Sequence, residues 1–317
     1  MIVAYVVRRM LLSIPAMLAM SVLVFFIIRL VPGDPVLVIL GLRATPETIE
    51  TLRGQLRLDD PIWVQYIDWL GNVVRGDLGV DYRTHEPIRD QLLTRLPVTL
   101  EMALLAMLMA AVMGIPLGIL AAVRRRGLAD HSATAVGLVG ISIPDFWLGV
   151  MLILLMALVL GWLPSSGYVP LRESVTDNLR HMVLPAFTLA VNFAAVLTRT
   201  TRGAVLDVLD RPFVRTARAK GLRERAVVLG HVVRNAAIPI LTVLGLQFGY
   251  ALGGAIIIEQ VFSLPGVGRL TLNAVLERNY PVVQGAVLLV TFLFMLTNVI
   301  TDSLYAVVDP RIREHGR

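Results

Sequence analysis

Residues 98–123 have the sequence VTLEMALLAMLMAAVMGIPLGILAAV, in which Glu101 is the only charged residue. A helix needs about 20 apolar residues to cross the hydrocarbon core of a bilayer. This stretch is long enough and apolar enough to do so, and it predicts a transmembrane helix. We therefore expect a membrane protein.

The composition of the whole 317-residue chain points the same way. Hydrophobic residues make up 56% of the chain and charged residues 16%, and the mean hydropathy is +0.74. Soluble domains carry about 25% charged residues, so these values argue against a soluble enzyme. The sequence contains no cysteine, which excludes disulfides, thiol catalysis and cysteine-ligated metals.

Further apolar runs predict six membrane spans in all. The third is interrupted at Pro144-Asp145 and has a helical lead-in before its membrane part, and the fourth is the shortest. The predicted spans are Met10–Val31, Val98–Val123, Ile141–Leu160, Met182–Leu197, Ile238–Ile258 and Val282–Val308.

The basic residues predict how these spans are oriented. The net charge is +6 and Lys220 is the only lysine. In a membrane protein such a charge more often reflects topology than nucleic-acid binding, so nucleic acid is not an expected partner. Arginines concentrate near the N-terminus, between spans two and three, between spans four and five, and in the tail, whereas the two short opposite loops carry few. Both termini are therefore predicted to be cytoplasmic.

Segment 32–97, between spans one and two, is predicted to be extracytoplasmic and to contain two or three short helices. Thr45-Pro46-Glu47 and Asp60-Pro61 are each typical of a helix start with proline at the first helical position. Two interpretations of this segment stay open. It is either an amphipathic helix at the lipid interface, anchored by Trp63 and Trp69, or a docking surface for something delivered from outside.

The predicted cytoplasmic loop 199–238 carries many basic residues, yet its pattern is helical. A helix is predicted over residues 204–220, with Pro212 as one possible break. Gly221 suits a helix end in the left-handed conformation. A second helix is predicted over 223–235, before Pro239 opens the fifth span.

This loop has two possible roles. As a rigid knob it would dock a partner, because the small side chains of Ala217 and Ala219 allow close approach. Alternatively, it is a basic surface held by anionic lipid headgroups, each basic residue contributing about 1 kcal/mol.

The same loop resembles the EAA loop of ABC importer permeases. The resemblance rests on Arg215-Thr-Ala-Arg-Ala-Lys-Gly221-Leu222, followed by Arg234-Asn-Ala-Ala-Ile-Pro239. The family often has glutamate at the first position of the signature, where this chain has Thr216. The coupling residues that the resemblance implies are Arg215, Thr216, Ala217, Arg218, Ala219, Lys220, Gly221, Leu222 and Pro239.

Further motifs follow in the family's order along nearly the whole chain. Together they resemble the first permease subunit of dipeptide, oligopeptide, glutathione or nickel importers, the DppB/OppB-like family. These motifs are Arg8-Arg9, Val31-Pro-Gly-Asp-Pro35, Gly76-Asp-Leu-Gly79, Arg95-Leu-Pro-Val-Thr-Leu-Glu101, Gly114-Ile-Pro-Leu-Gly118, Ser142-Ile-Pro-Asp-Phe-Trp147, Leu163-Pro-Ser-Ser-Gly167, Glu259-Gln-Val-Phe-Ser-Leu-Pro-Gly266-Val-Gly268, Asn279-Tyr-Pro-Val-Val283 and Asp309-Pro-Arg-Ile-Arg313.

The resemblance implies an all-α polytopic membrane protein with the MetI-like fold of type I ABC importer permeases. The expected parts are an N-terminal span (1–31), an extracytoplasmic helical segment (32–97) and a permease core (98–317). It also implies a second, homologous permease as heterodimer partner, an extracytoplasmic substrate-binding protein, and two cytoplasmic ATPase subunits that hold ATP and Mg. One ATPase would grip a coupling helix near Thr216–Leu222.

By the same resemblance, the chain is no enzyme, binds no cofactor itself, and carries peptides across the inner membrane by alternating access. Nickel, a metal chelate or glutathione are alternative cargoes. The residues agree in one respect, because the sequence contains no Gly-x-x-x-x-Gly-Lys-Ser/Thr phosphate loop. No metal site is expected, since the five histidines are scattered over different segments.

Two rival functions remain. A secondary carrier or channel would need ionisable groups in mid-membrane, whereas Glu101, Glu259 and Asp302 lie near predicted span ends. Asp145, beside the Pro144 break, is either a helix cap, the favoured role, or a substrate contact. The other rival is a membrane scaffold or sensor whose basic loop binds a soluble partner or lipid.

Glycines spaced by four predict close helix contacts. They are Gly114 and Gly118 in span two and Gly245, Gly249 and Gly253 in span five. The contacts lie either within this subunit, or, for the face of Gly245, against the partner permease or the pore.

Overall fold

Helices follow one another along almost the entire described chain. The computed structural model describes residues 2–30, 36, 45–55 and 59–308. Its helices are α1 (Ile2–Leu30), α2 (Pro46–Gln55), α3 (Ile62–Val74), α4 (Ile88–Val123), α5 (Leu128–Ser142), α6 (Asp145–Leu152), α7 (Val175–Leu209), α8 (Pro212–Ala219), α9 (Val233–Val261), α10 (Val267–Leu276) and α11 (Tyr280–Val308). A π-helical segment, Ile153–Val159, continues α6, and the turn Glu224–Ala226 with the π-helical segment Val227–Val232 leads into α9.

Five of these helical stretches are long and apolar enough to cross a membrane. They are Arg8–Phe26, Ile88–Val123, Val175–Leu209, Glu224–Val261 and Tyr280–Tyr305. The pair α5 and α6 supplies a sixth if it counts as one span. The prediction of an all-α polytopic membrane protein is thus confirmed, with the third span as the broken one.

Several predicted boundaries are wrong. α4 begins at Ile88, so Pro97 lies inside a helix and the second helix starts ten residues before the predicted span at Val98. The fourth span is not the shortest, because α7 has 35 residues. At about 1.5 Å per residue α7 is about 50 Å long, well beyond the roughly 30 Å hydrocarbon core. Hydropathy detects only the apolar middle of such a helix and misses its polar ends.

The third span breaks at Pro144. α5 and the helix that starts at Asp145 are bent by 97° at this point. Ile143 has an extended backbone (φ −81°, ψ 123°), as expected for a residue that precedes proline. Pro144 itself occupies the N-cap of α6. The sequence predicted this interruption correctly.

The backbones of α4 and α7 approach each other closely, because the residues between them are small. Small residues line the contact, among them Ala103, Ala106 and Ala110 on α4 and Ala186, Ala190 and Ala194 on α7, all buried. A Cβ on Gly114 would lie 2.8 Å from the Ala194 carbonyl oxygen, and one on Gly118 would lie 2.6 Å from that of Thr198. These two glycines therefore pack within this subunit, as one of the two interpretations held.

α1 lies at the edge of the core and is held by polar and aromatic contacts. Its Arg9 pairs with Asp302 of α11 at 3.0 Å. Further along, Ser21 Oγ and Tyr66 OH are hydrogen-bonded at 2.8 Å, and Phe25 packs against the rings of Tyr66 and Trp69 of α3. α3 is therefore anchored to the first span.

The segment between the first two spans contains the short helices that were predicted. Pro46 is the first residue of α2, as expected, but Pro61 is the N-cap of α3 and not its first residue. Trp63 is 64% exposed, whereas Trp69 stacks on Phe25. The Val31–Pro35 motif and residues 309–317 lie outside the described residues.

A buried carboxylate fixes the end of α9 to α10 and α4. Glu259 is completely buried. Its Oε1 accepts a hydrogen bond from Thr99 Oγ1 (2.6 Å), and its Oε2 accepts one from the Arg269 N–H (2.8 Å). Thr99 Oγ1 in turn accepts one from the Val267 N–H (2.9 Å). Two N–H groups of the first turn of α10 are satisfied in this way.

The glycines of the Glu259–Gly268 motif leave room for that carboxylate. A Cβ on Gly266 would collide with the Glu259 carboxylate, and one on Gly268 would lie 2.8 Å from the Ile256 Cα. The motif is therefore a packing unit that positions α10. Sequence analysis placed Glu259 only near a span end and missed this role.

We expect Glu259→Ala to destabilise the protein by about 3 kcal/mol or more, because it leaves buried N–H and hydroxyl donors unpaired. Glu259→Gln keeps the shape and one acceptor oxygen, so its effect should be smaller. Thermal unfolding of the purified protein in detergent measures both. Equal midpoints for the wild type and Glu259→Ala would contradict the assignment.

Candidate functional site

The predicted coupling signature forms a short helix between two spans. α8 follows α7 after a two-residue turn and ends at Ala219, and the turn after it contains Gly221, whose φ is +78°. The Gly221 N–H donates to the Arg218 carbonyl (2.9 Å) and the Leu222 N–H to the Ala217 carbonyl (3.4 Å). This is the left-handed helix end that the sequence predicted, in which glycine avoids the Cβ clash.

One face of α8 is buried in its own chain. Val214 and Ala217 belong to an apolar cluster that we call the coupling cluster. Its buried members come from α4, α7, α8, the π-helical segment Val227–Val232 and α9. They are Ala122, Leu197, Ala204, Val205, Val214, Ala217, Val227, Val232, Ala236 and Ile240. The expectation that Ala217 offers close approach to a partner is therefore wrong, because Ala217 faces inward.

The other face of α8 is exposed. Two large apolar side chains are exposed here, Phe213 on α8 at 44% and Leu222 in the turn after it at 43% exposure. Polar, basic and small residues surround them, namely Arg211, Arg215, Thr216, Arg218, Ala219, Lys220 and Arg223. We call this the α8 surface. It combines apolar anchors with positive charge.

An ion pair braces the end of α8. Arg218 Nη2 and Nε donate to the two carboxylate oxygens of Glu224 at 2.6 and 3.1 Å. These hydrogen bonds raise the pKa of Arg218 above its usual value. The pair spans Gly221, so it holds the chain on either side of the turn.

The chain after this turn differs from the prediction of a second short helix over 223–235. The turn Glu224–Ala226 passes through the π-helical segment directly into α9. Pro239 lies inside α9 and does not open it. Proline is tolerated within membrane helices because neighbouring groups compensate for its missing N–H. Only the four-residue turn 220–223 therefore separates α8 from the helical chain that continues into the fifth span.

A second ion pair joins the neighbouring helices on the same side. Arg202 Nε and Nη2 donate to the Asp130 carboxylate at 2.5 and 2.9 Å, and the Arg126 N–H donates to it at 2.9 Å. Asp130 is 5% exposed. This pair ties the start of α5 to α7. Sequence analysis did not detect it, because the two residues are 72 positions apart.

The glycines of α9 divide into two groups. A Cβ on Gly245 would collide with Thr301, and one on Gly249 would lie 2.5 Å from Phe294, both on α11. Gly245 and Gly249 thus pack within this subunit. An added Cβ on Gly253 meets nothing within 4 Å, so its face is open.

That open face borders a cavity of about 530 Å³. The cavity lies among α1, α6, α7, α9 and α11. Its lining consists of Met20, Asp145, Leu189, Phe193, Gly249, Tyr250, Ala251, Gly253, Gly254, Val290, Thr291 and Phe294. Asp145 does not cap α6, since Pro144 occupies the N-cap and no side-chain cap bond forms. The favoured role for Asp145 is therefore wrong.

At the opposite end from α8, polar contacts fix the loop before α4 to the start of α11. Asp81 accepts hydrogen bonds from the Arg83 N–H (2.7 Å), Asn279 Nδ2 (2.7 Å) and Gln91 Nε2 (3.1 Å). Burial alone would raise the pKa of the Asp81 carboxyl, but the hydrogen bonds outweigh burial and lower it. Arg83 also pairs with Glu277.

A tyrosine in the loop before α7 is held in a similar way. Tyr168 OH donates to Glu101 Oε2 at 2.9 Å. Burial, together with this carboxylate, raises the pKa of Tyr168 to about 12. Glu101 thus ties α4 to this loop.

No group of three or more His, Asp or Glu side chains suited to a metal ion occurs within the described ranges.

Comparison with known proteins agrees with this architecture. Residues 114–314 match the family described as "Binding-protein-dependent transport system inner membrane component", and residues 2–103 match the description of its N-terminal part. The Di/tripeptide transport system permease protein DppB of Pseudomonas aeruginosa is 42% identical over 331 residues, with 98% of each chain covered. The Glutathione transport system permease protein GsiC of Escherichia coli (strain K12) is 42% identical over 309 residues, again with 98% of each covered.

Among solved structures, the MetNI methionine ABC transporter in inward-facing conformations has a similar fold. The TM-score is 0.60 at 20% identity, over 71% of this chain and 99% of that one. The family match covers well over half of the sequence, and the relatives cover nearly all of it. The chain therefore belongs to the family of binding-protein-dependent transport system inner membrane components, the permease subunits of ABC importers.

Proposed function

We propose that this permease carries di- and oligopeptides inward across the inner membrane by alternating access. The support for the cargo is the relative whose name specifies di- and tripeptides, at 42% identity over nearly the whole chain. The support for the mechanism is the position of α8. Its outer face is exposed, and its inner face packs in the coupling cluster against α4, α7, the segment Val227–Val232 and α9.

In this proposal the α8 surface binds one of two cytoplasmic ATPase subunits, which hold ATP and Mg. Phe213 and Leu222 would enter a groove of the ATPase, and the basic residues around them would face acidic groups at its rim. Closure of the ATPases on ATP would push α8, and the coupling cluster would carry the displacement to α7 and α9. This chain would supply passage and coupling and no chemistry of its own.

The remaining partners follow from the same proposal. A second, homologous permease would cover the open cavity face and complete the pathway as a heterodimer. A substrate-binding protein would dock on the extracytoplasmic side, where α3 and the loop around Asp81 lie. The distribution of arginines supports cytoplasmic termini. Membrane lipid would contact the exposed apolar faces of the spans, such as those of Leu104, Leu108 and Val112 on α4.

Glutathione is a second candidate cargo, because the Escherichia coli relative named for glutathione is equally similar. Both candidates are small peptides in the chemical sense. The two are separated by competition, in which unlabelled glutathione either blocks or fails to block uptake of a labelled dipeptide.

Reconstitution into liposomes tests the proposal directly. The chain with its partner permease, both ATPases and binding protein should accumulate labelled dialanine only when ATP is present. The chain alone should accumulate none. Transport by the chain alone would indicate a carrier or channel, and ATP-independent uptake by the complex would equally contradict the proposal.

Substitutions at Gly221 test the coupling role of α8. The φ of +78° disfavours a β-branched side chain, and no other atom lies within 4 Å of an added Cβ. We expect Gly221→Val to distort the end of α8 at a cost of about 1–2 kcal/mol, and to lower uptake about tenfold. Gly221→Asn is the matched control, because asparagine tolerates this conformation and should retain most of the uptake.

Co-purification of the ATPases with each Gly221 variant locates the defect. The valine variant should recover less ATPase, while its thermal midpoint falls by only several degrees relative to the asparagine variant, as the cost of about 1–2 kcal/mol implies. Equal ATPase recovery and equal uptake for the two variants would refute the coupling role.

Two glycines of α9 separate passage from packing. Gly253→Leu should fill the cavity without a clash and lower uptake several-fold in a normally assembled complex. Gly249→Leu would displace Phe294, and we expect this overpacking to destabilise the protein by about 1–3 kcal/mol. The yield of folded protein should fall as a result. Uptake and size-exclusion profiles measured together distinguish the two. Normal uptake by Gly253→Leu would show that the cavity is not part of the transport pathway.

A further inference from the structure

The Asp145 carboxylate is a charged group without a partner. Among the described residues it makes no hydrogen bond or ion pair. Three other acidic side chains of the helices are engaged, since Glu259 accepts from Thr99 and Arg269, Glu101 accepts from Tyr168, and Asp302 pairs with Arg9. Asp145 therefore stands apart from the acids that hold the fold together.

Its position is set by the 97° break. Pro144 ends the previous helical direction, and Asp145 begins α6 at the edge of the 530 Å³ cavity. A negative charge in the first turn of a helix is favourable in itself. The interaction with the helix N-terminus explains why an acidic residue is found here. It does not explain why the side chain borders a cavity.

The other residues of the cavity lining contribute no charge. Aromatic and aliphatic side chains form most of the wall, and Gly249, Gly253 and Gly254 expose backbone. Asp145 is half-buried, so its carboxylate loses part of its hydration in these apolar surroundings, and a cation that joins it offsets this cost. The cavity volume lies within the range of small-molecule sites.

The chemistry of the cavity selects the kind of cation. A divalent metal ion takes several oxygen ligands, whereas an ammonium group forms a good pair with one carboxylate. In broken membrane helices, the free N-terminus of a half-helix commonly attracts an anionic group of the substrate. Here Asp145 already occupies that end of α6, so the site has the opposite preference and favours a positive group.

We propose that Asp145 binds the cationic amino terminus of the peptide as it passes through the permease. The proposal rests on the proposed peptide cargo and adds a specificity to it. The permease itself, and not only the binding protein, would select a free amino terminus. The apolar wall around Asp145 would accept varied side chains, because it offers no second charged contact.

The test compares uptake of labelled dialanine and N-acetyl-dialanine by the complete importer in liposomes. Each peptide is used at a concentration that saturates the binding protein. The same binding protein serves every variant, so a change in the ratio of the two rates reports on the permease. Asp145→Asn removes the charge at nearly constant volume, and Asp145→Glu retains it.

Asp145→Asn should lower dialanine uptake, and with it the ratio of dialanine to acetylated peptide, by about tenfold or more, as loss of a charge-assisted hydrogen bond implies. Asp145→Glu should keep most of the ratio. Asp177→Asn is the matched control, since Asp177 is also acidic in the first turn of a helix but does not line the cavity. It should leave the ratio unchanged.

Three results would overturn the proposal. An unchanged ratio in Asp145→Asn would show that the carboxylate does not distinguish the amino terminus. An equal fall for both peptides would assign Asp145 a structural role instead. A wild-type importer that transports neither peptide would overturn the peptide cargo and this inference together, which separates it from the first two results.

Discussion

The close contact of α4 with α7 is the constraint on which the rest of the structure depends. In a bilayer the hydrophobic effect does not drive helices together, so association depends on packing at short range. Alanines, with Gly114 and Gly118, bring the two backbones close enough for an added Cβ to touch carbonyl oxygens. α5, α9 and α10 then pack on this pair, and both the cavity and α8 take their positions from it.

The coupling cluster extends the same contact toward α8. Ala122 of α4 and Val205 of α7 meet Val214 and Ala217 of α8 and Ile240 of α9 in one buried group. Densely packed groups shift as units, because gaps or overlaps are both unfavourable. In the proposed mechanism, a displacement of α8 would therefore reach α4, α7 and α9 through this cluster. The inner residues Val214 and Ala217 anchor α8 in this cluster and leave its outer face exposed.

Much of the fold was predictable from apolar runs, since burial in lipid leaves a strong and local signal. The helix end at Gly221 and the interruption at Pro144 also leave a local signal, because a single glycine or proline determines each. Both were therefore predictable. The polar helix ends were not, because residues 88–96 and the ends of α7 continue a helix with charged residues among the apolar ones, so no continuous apolar run marks them. Pro97 and Pro239 were misplaced because neighbouring helices compensate for a proline within a span.

The site depended more on distant partners and was correspondingly harder to predict. Glu259 and Asp145 look alike in the sequence, as single acids beside apolar runs and close to proline or glycine. Only the fold distinguishes them. Glu259 meets Thr99 from 160 positions away together with the N–H groups of α10, so its charge is fully used in holding the structure. Asp145 borders a cavity and meets no such group. In the proposed mechanism a positively charged group of the peptide pairs with this carboxylate during passage and leaves again, as a transient substrate contact requires.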